Sequence, residues 1–209
     1  MTFSSSAPGK IILFGEHAVV YGHPAVAVPV TQVNVTVTVT TLPNEAPGTV
    51  RIHAPDIHLQ ASLAELPARH PLKAAITHTA AALKVRTLPA CTVRIQSTIP
   101  VAAGMGSGAA VTVAIARALS TFLGSPLDDT QVSNLAFEVE KIHHGTPSGI
   151  DNTVITYARP VYFIKGKPIQ RLPVGRAFTI VIADTGIASP TAAAVGDVRK
   201  AWHADKAHY

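Results

Sequence analysis

The chain of 209 residues reads as an α+β protein. Two runs carry that reading. Val33-Asn-Val-Thr-Val-Thr-Val-Thr40 alternates apolar residues with β-branched polar ones at period two, the signature of a half-exposed strand, antiparallel to its neighbour. Ser107 to Leu123 has the composition of a buried helix. Around them strands and helices mix without the regular alternation that builds a doubly wound parallel sheet.

Taken in order, Ile11 to Phe14 and Ala25 to Val30 read as short buried strands. The turn cluster Leu42-Pro-Asn-Glu-Ala-Pro-Gly48 leads into a strand at Thr49 to His53. Pro71 to Val85 has helical spacing, and Cys91 to Ser97 returns as a strand. After the buried helix, Asp128 to His143 forms an amphipathic one, with Val132, Leu135, Ala136 and Val139 on one side. Val161 to Ile164 and Ala177 to Ile182 read as strands, and Thr191 to His208 as a closing helix. There are no internal repeats.

Hydrophobic residues make up 47% of the chain and charged residues 14%, which places it among globular proteins rather than disordered ones. A formal charge of +5 suits an anionic ligand. No lysine or arginine block interleaves with aromatics, which argues against a nucleic-acid partner. The longest apolar run, near Val111, is broken by Arg117 and is too short for a membrane span. Cys91 is the only cysteine, so no intrachain disulfide forms and a reducing, cytoplasmic compartment fits. Its strand-like setting makes it a small buried hydrophobe.

Three segments carry chemistry. The first is Ser6-Ala-Pro-Gly-Lys-Ile-Ile-Leu-Phe-Gly-Glu-His-Ala-Val-Val-Tyr-Gly22, where Lys10 precedes an apolar strand and Glu16 and His17 follow it. By itself it reads either as a strand between turns or as a cation and two polar groups around one pocket. The second is Pro100-Val-Ala-Ala-Gly-Met-Gly-Ser-Gly-Ala-Ala110. Glycines ahead of a helix expose successive N–H groups at the positive end of its dipole, which makes an anion cradle. No Gly-Lys-Ser/Thr closes it, so it is not a Walker A loop. It stands between a phosphate cradle and a plain glycine-rich turn. The third is Glu140-Lys-Ile-His-His-Gly-Thr-Pro-Ser-Gly-Ile-Asp-Asn152. Its turn can bring Asp151 back towards Glu140, a pair suited to holding Mg²⁺ and facing an acceptor hydroxyl. The competing reading is one capped helix followed by another. His143 and His144 are adjacent on a helix and diverge, which suits structural roles better than a metal pair.

Together the three segments resemble the GHMP small-molecule kinases, on the branch whose acceptor is mevalonate. Gly15-Glu-His-Ala-Val-Val-Tyr-Gly22 and His144-Gly-Thr-Pro-Ser-Gly-Ile-Asp-Asn152 carry the resemblance most specifically, and it runs from about Ser6 to the end of the chain. It implies that family's N-terminal ATP-binding domain, a ribosomal-protein-like α/β fold, over residues 1–175. Residues 176–209 would then begin an incomplete ferredoxin-like C-terminal domain. The implied reaction is ATP-dependent phosphorylation of the C5 hydroxyl of mevalonate in isoprenoid biosynthesis, with Mg²⁺ as cofactor and ATP and mevalonate as small-molecule partners. The implied catalytic pair is Asp151 and Lys10. Pro100, Val101, Ala102, Ala103, Gly104, Met105, Gly106, Ser107, Gly108, Ala109 and Ala110 would wrap the nucleotide phosphates, and Glu140 with Ser107 would hold the metal. Glu16 and His17 would meet the substrate, and a homodimer stays open.

Two departures matter. The family writes its phosphate loop Gly-Leu-Gly-Ser-Ser-Ala, whereas this chain has Gly104-Met-Gly-Ser-Gly-Ala109, so Gly108 removes a hydroxyl that serves there as a second metal ligand. Family members also continue for about a hundred residues and carry a third glycine-rich motif that nothing after Gly196 resembles. The expectation is a truncated chain with an exposed apolar face, and a helix around Trp202 that lacks its partner surface. Another GHMP kinase, such as one acting on phosphomevalonate, and a catalytically incompetent ATP-binding domain are the alternatives.

Overall fold

Valine alternates with threonine along the longest strand, and a sheet with one apolar and one polar face follows. The computed structural model describes residues 1–100, 103–144, 147–183 and 191–205. β1 (Thr2–Phe14) pairs antiparallel with β2 (Ala25–Thr41) from Thr2↔Thr40 to Phe14↔Val26. Val35, Val37 and Val39 of β2 are wholly buried while the threonines between them stay half-exposed, as the period-two pattern requires. The two strands expected at 25–30 and 33–40 are thus one. β1 also starts earlier than its apolar core suggests. The serines at its head are held by the β2 ladder, and Ser4 Oγ donates to the Val37 carbonyl at 3.2 Å.

The other edge of β2 serves two partners. β5 (Cys91–Ser97) pairs with it antiparallel over Val35–Thr41, and β6 (Val161–Phe163) over Ala25–Ala27. Beyond β5 lie β3 (Val50–Ala54), parallel to it, and β4 (Leu59–Ser62); beyond β6 lies β7 (Gln170–Arg171). Cys91 is fully buried in β5, and burial pushes its thiol up to about 11.

The helices α1 (Pro71–Ala82), α2 (Ser107–Phe122), α3 (Asp129–His144) and α4 (Ile150–Tyr157) cluster around α2. α2 touches β1, β2, α1, α3 and α4, so apolar residues are needed all round it. Alanine meets that need: Ala109, Ala110, Ala114, Ala116 and Ala118 are all buried and let the neighbours approach closely. α4 begins at Ile150, after the left-handed Gly149 and without a side-chain cap, so one helix succeeds another here. The chemical reading of the segment is compatible with it.

The expected strand at 177–182 is absent. Phe178 is 70% exposed and Val181 89%, and no strand among the described residues pairs with that segment. β-forming side chains do not hold a strand without a ladder. Val174 and Ile180 are exposed as well. The closing helix, α5 (Thr191–Ala204), is present, and Trp202 on it stacks against Tyr21. Among the described residues no helix is long and apolar enough to cross a membrane.

Arg117 ties three helices together. From α2, its guanidinium donates to Asp129 Oδ1 in the first turn of α3 and to the Thr156 carbonyl near the end of α4, both at 2.7 Å. Arg117→Ala should lower the unfolding free energy by about 1.5–3 kcal/mol, the range for hydrogen bonds to a charged group, read from the urea midpoint.

Candidate active site

A buried lysine is the centre of the site. β1 carries Lys10 under the loop before α2, where its backbone N–H donates to the Met105 carbonyl at 3.0 Å. Its side chain is 5% exposed, and its Nζ lies 3.1 Å from Asp151 Oδ1. Asp151 is 31% exposed in side chain and sits in the first turn of α4, where the positive end of the helix dipole favours a carboxylate. A buried ammonium needs such a partner, and one face of the carboxylate stays open to solvent.

Gly106 explains how the loop comes so close. It caps α2 in the left-handed conformation, φ +72°, and an ideal Cβ there would fall 2.9 Å from Ile155 Cδ1 and 3.0 Å from Lys10 Cγ. Only glycine allows the loop to rest on the aliphatic stem of the lysine. No side chain caps the first turn of α2, so its leading amides are available to an anion. Ser107 is the first helical residue and half-buried; Gly108 is exposed, and nothing lies within 4 Å of an added Cβ.

The proposed cradle is therefore uneven. Gly104, Gly106, Ser107 and Gly108 form its surface, with Pro100 exposed and Ala103 half-buried at its start. Met105, Ala109 and Ala110 turn their side chains into the core, and the Ala110 amide already donates to the Gly106 carbonyl. Val101 and Ala102 lie outside the described residues, as do Gly145 and Thr146 of the third motif and the side chains of His143 and His144.

Glu140 approaches from the last turns of α3. It is 8% exposed, and its carboxyl is pushed from the ordinary 4.5 up to about 8, chiefly by burial and then by the negative charge of Asp151, against the pull of Lys10. The negative end of the α3 dipole adds to its discomfort as an anion. A divalent cation would relieve all of these, so the residues present fit a metal. Among the described residues no group of three or more histidine, cysteine or acidic side chains converges. A cation here would therefore lean on Glu140 and on water, oxygen ligands of the kind Mg²⁺ commonly takes.

Glu16 and His17 stand past the end of β1, on the order of 13 Å of strand beyond Lys10. Glu16 is exposed and His17 half-buried. His17 adopts φ +64° and ψ −45°, and the Ala18 N–H donates to the Glu16 carbonyl at 2.8 Å. That is a γ-turn of the strained kind, which costs on the order of 1–3 kcal/mol and concentrates at functional sites.

The family pattern described as "GHMP kinases N terminal domain" matches residues 70–159, the stretch that holds α1, α2, α3 and α4 with Gly104–Gly108, Glu140 and Asp151. The chain carries a GHMP kinase N-terminal domain. Relatives agree. It is 37% identical over 218 residues to the mevalonate kinase of Thermococcus gammatolerans, covering 96% of this chain and 62% of that protein. Against human mevalonate kinase it is 31% identical over 248 residues, covering 93% and 61%. Among solved structures, Methanococcus jannaschii mevalonate kinase aligns with a TM-score of 0.74 at 26% identity, over 83% of this chain and 56% of that one. Mevalonate kinase of L. major, solved with R-mevalonate, aligns with a TM-score of 0.71 at 29% identity, over 98% and 63%. The chain thus spans about three-fifths of the length of the relatives it matches.

Of the expected site residues, the fold brings Lys10, Asp151, Glu140 and the Gly104–Gly108 loop together and sets Glu16 and His17 apart at the far end of β1. Sequence reasoning missed the Met105 carbonyl that fixes Lys10, and Ile155 behind Gly106. Neither leaves a composition signal.

Glu140 also sets a pH dependence. The unfolded carboxyl ionises near 4.5 and the folded one near 8, so the folded state binds its proton more tightly. That contribution to stability is complete below about pH 4.5, declines as pH rises and is lost by about pH 8. Urea midpoints of the metal-free protein at pH 5 and pH 8 should show the decline, and Glu140→Gln should flatten it.

Proposed function

We propose that the chain is the nucleotide-binding and catalytic part of a mevalonate kinase, transferring the γ-phosphoryl group of ATP to the C5 hydroxyl of mevalonate. In this reading residues 1–175 form the ATP-binding domain and 176–209 begin a second one. The observation that carries it is the 3.1 Å Lys10–Asp151 pair against a left-handed glycine that opens a helix with an uncapped first turn. Relatives named mevalonate kinase across 96% of the chain support the choice of acceptor.

ATP phosphates lie on the leading amides of α2, where backbone N–H groups and helix dipole meet them. Asp151 accepts a hydrogen bond from the C5 hydroxyl and aims its oxygen at the γ-phosphorus. The O–P bond to the acceptor forms as the bridging O–P bond to ADP breaks, and the hydroxyl proton passes to Asp151. Lys10 offsets negative charge on the transferring group, a task that positioning and electrostatics dominate in phosphoryl transfer. When bound, Mg²⁺ neutralises phosphate charge; Glu140 and Ser107 are the residues that would hold it. Glu16 and His17 meet the far end of the acceptor.

Steady-state ADP release by the 209-residue chain with Mg²⁺·ATP tests this, with and without mevalonate. Mevalonate-dependent release is expected, and Asp151→Asn should cut it by about 10²-fold or more while ATP still binds. A near-normal rate in that variant refutes the role of Asp151. ATP binding with no turnover in the wild-type chain favours an incompetent nucleotide-binding domain, a reading to which the missing hydroxyl at Gly108 lends weight. Gly108→Ser checks that directly. The site is helical and open, so the serine is accommodated and should tighten Mg²⁺·ATP binding or raise turnover.

A further inference from the structure

The residues assigned so far leave one aromatic contact without a task. Tyr21 closes the short 3-10 turn Ala18–Tyr21, which follows Glu16 and His17. Its ring stacks on Trp202 of α5, centroids 5.7 Å apart and planes 18° apart. Arg199, three positions earlier and so on the same face of α5, donates from Nε to Tyr21 Oη at 3.3 Å. His203 packs edge-on against Trp202, with centroids 5.0 Å apart. α5 therefore reaches back across 178 sequence positions to grip the turn behind the strained γ-turn at His17.

That strain has to be held from both ends, because such a conformation persists only where its surroundings over-determine it. Upstream, Gly15 is wedged against the start of β2: an added Cβ would lie 2.3 Å from the Pro24 carbonyl oxygen. In the middle, Val19 is buried and its N–H donates to the Gly15 carbonyl at 3.0 Å. Downstream, the hold comes from Tyr21 and its aromatic partner on a separate helix.

We propose that the Tyr21–Trp202 stack is a latch through which α5 fixes the Glu16–His17 turn, making Tyr21 and Trp202 positioning residues for the acceptor alcohol. The acceptor role rests on the kinase function proposed above. The latch separates the two substrates. The nucleotide cradle is built on Gly104–Gly108 at the start of α2, away from Tyr21, whereas the acceptor's far end meets the turn the latch holds. Loosening it should weaken acceptor binding and spare the nucleotide.

Trp202 is the only tryptophan, so its fluorescence reports on the latch in the intact chain. Wild type, Tyr21→Phe and Tyr21→Ala are titrated with mevalonate and, separately, with Mg²⁺·ATP. Tyr21→Ala should weaken mevalonate binding about three- to tenfold, the worth of one aromatic stack, with Mg²⁺·ATP affinity within about twofold of wild type. In turnover the same variant should raise KM for mevalonate and leave kcat nearly unchanged. Tyr21→Phe keeps the ring and should behave as wild type. Equal losses for both ligands, no loss for either, or Tyr21→Phe failing as Tyr21→Ala does would each overturn the acceptor role. Hydrogen exchange at the amides of residues 16–22 decides the latch itself without any substrate: Trp202→Ala should speed it about three- to tenfold. An unchanged rate overturns the latch. A wild-type chain that binds no mevalonate overturns the proposed function and the acceptor role with it, and the exchange experiment still judges the latch.

Discussion

Everything at the centre of this domain is arranged around a lysine taken out of water. Lys10 is buried because β1 runs beneath the loop before α2, and a buried ammonium is tolerable only with an opposite charge at hand. Asp151 supplies it, which fixes where α4 must start. The same side chain lies under Gly106, which forbids a Cβ at the mouth of α2. One cation thus sets the position of a strand, the opening of one helix and the first turn of another.

The helix ends distribute charge in a consistent way. α2 and α4 turn their N-termini to the site, where phosphate and carboxylate are favoured. α3 turns its C-terminal end there and carries Glu140, an anion at the wrong pole of a dipole, buried and close to a second carboxylate. Two helices welcome negative charge and the third asks for a cation. Arg117 holds the opposite ends of the same three helices in register.

Much of this could be read from residue order. The valine–threonine alternation gave β2, and the glycine run before an alanine-rich segment placed the mouth of α2. The spacing of Glu140 and Asp151 around a Gly/Pro/Ser turn brought two acids to one place. Three things could not be read. The length of β1 depends on a ladder to β2 that its serines do not advertise. The strand pattern at 177–182 is real but finds no partner strand among the described residues, and pairing is a property of the neighbour. The strain at His17 and the stacking of Trp202 on Tyr21 arise from tertiary contacts between segments that share no local pattern.

The Lys10–Asp151 pair also has a history in synthesis. β1 can pair with β2 once about the first forty residues have emerged, yet the charge it carries has no partner until Asp151 follows. At roughly 5–20 residues per second, the ribosome leaves that lysine waiting on the order of ten seconds. During that interval burying it is unfavourable, so the hairpin must keep its lysine-bearing face wet and the sheet cannot close over it. The Lys10–Asp151 ion pair is therefore a late checkpoint: the core seals around it only after α4, which carries Asp151, has been made.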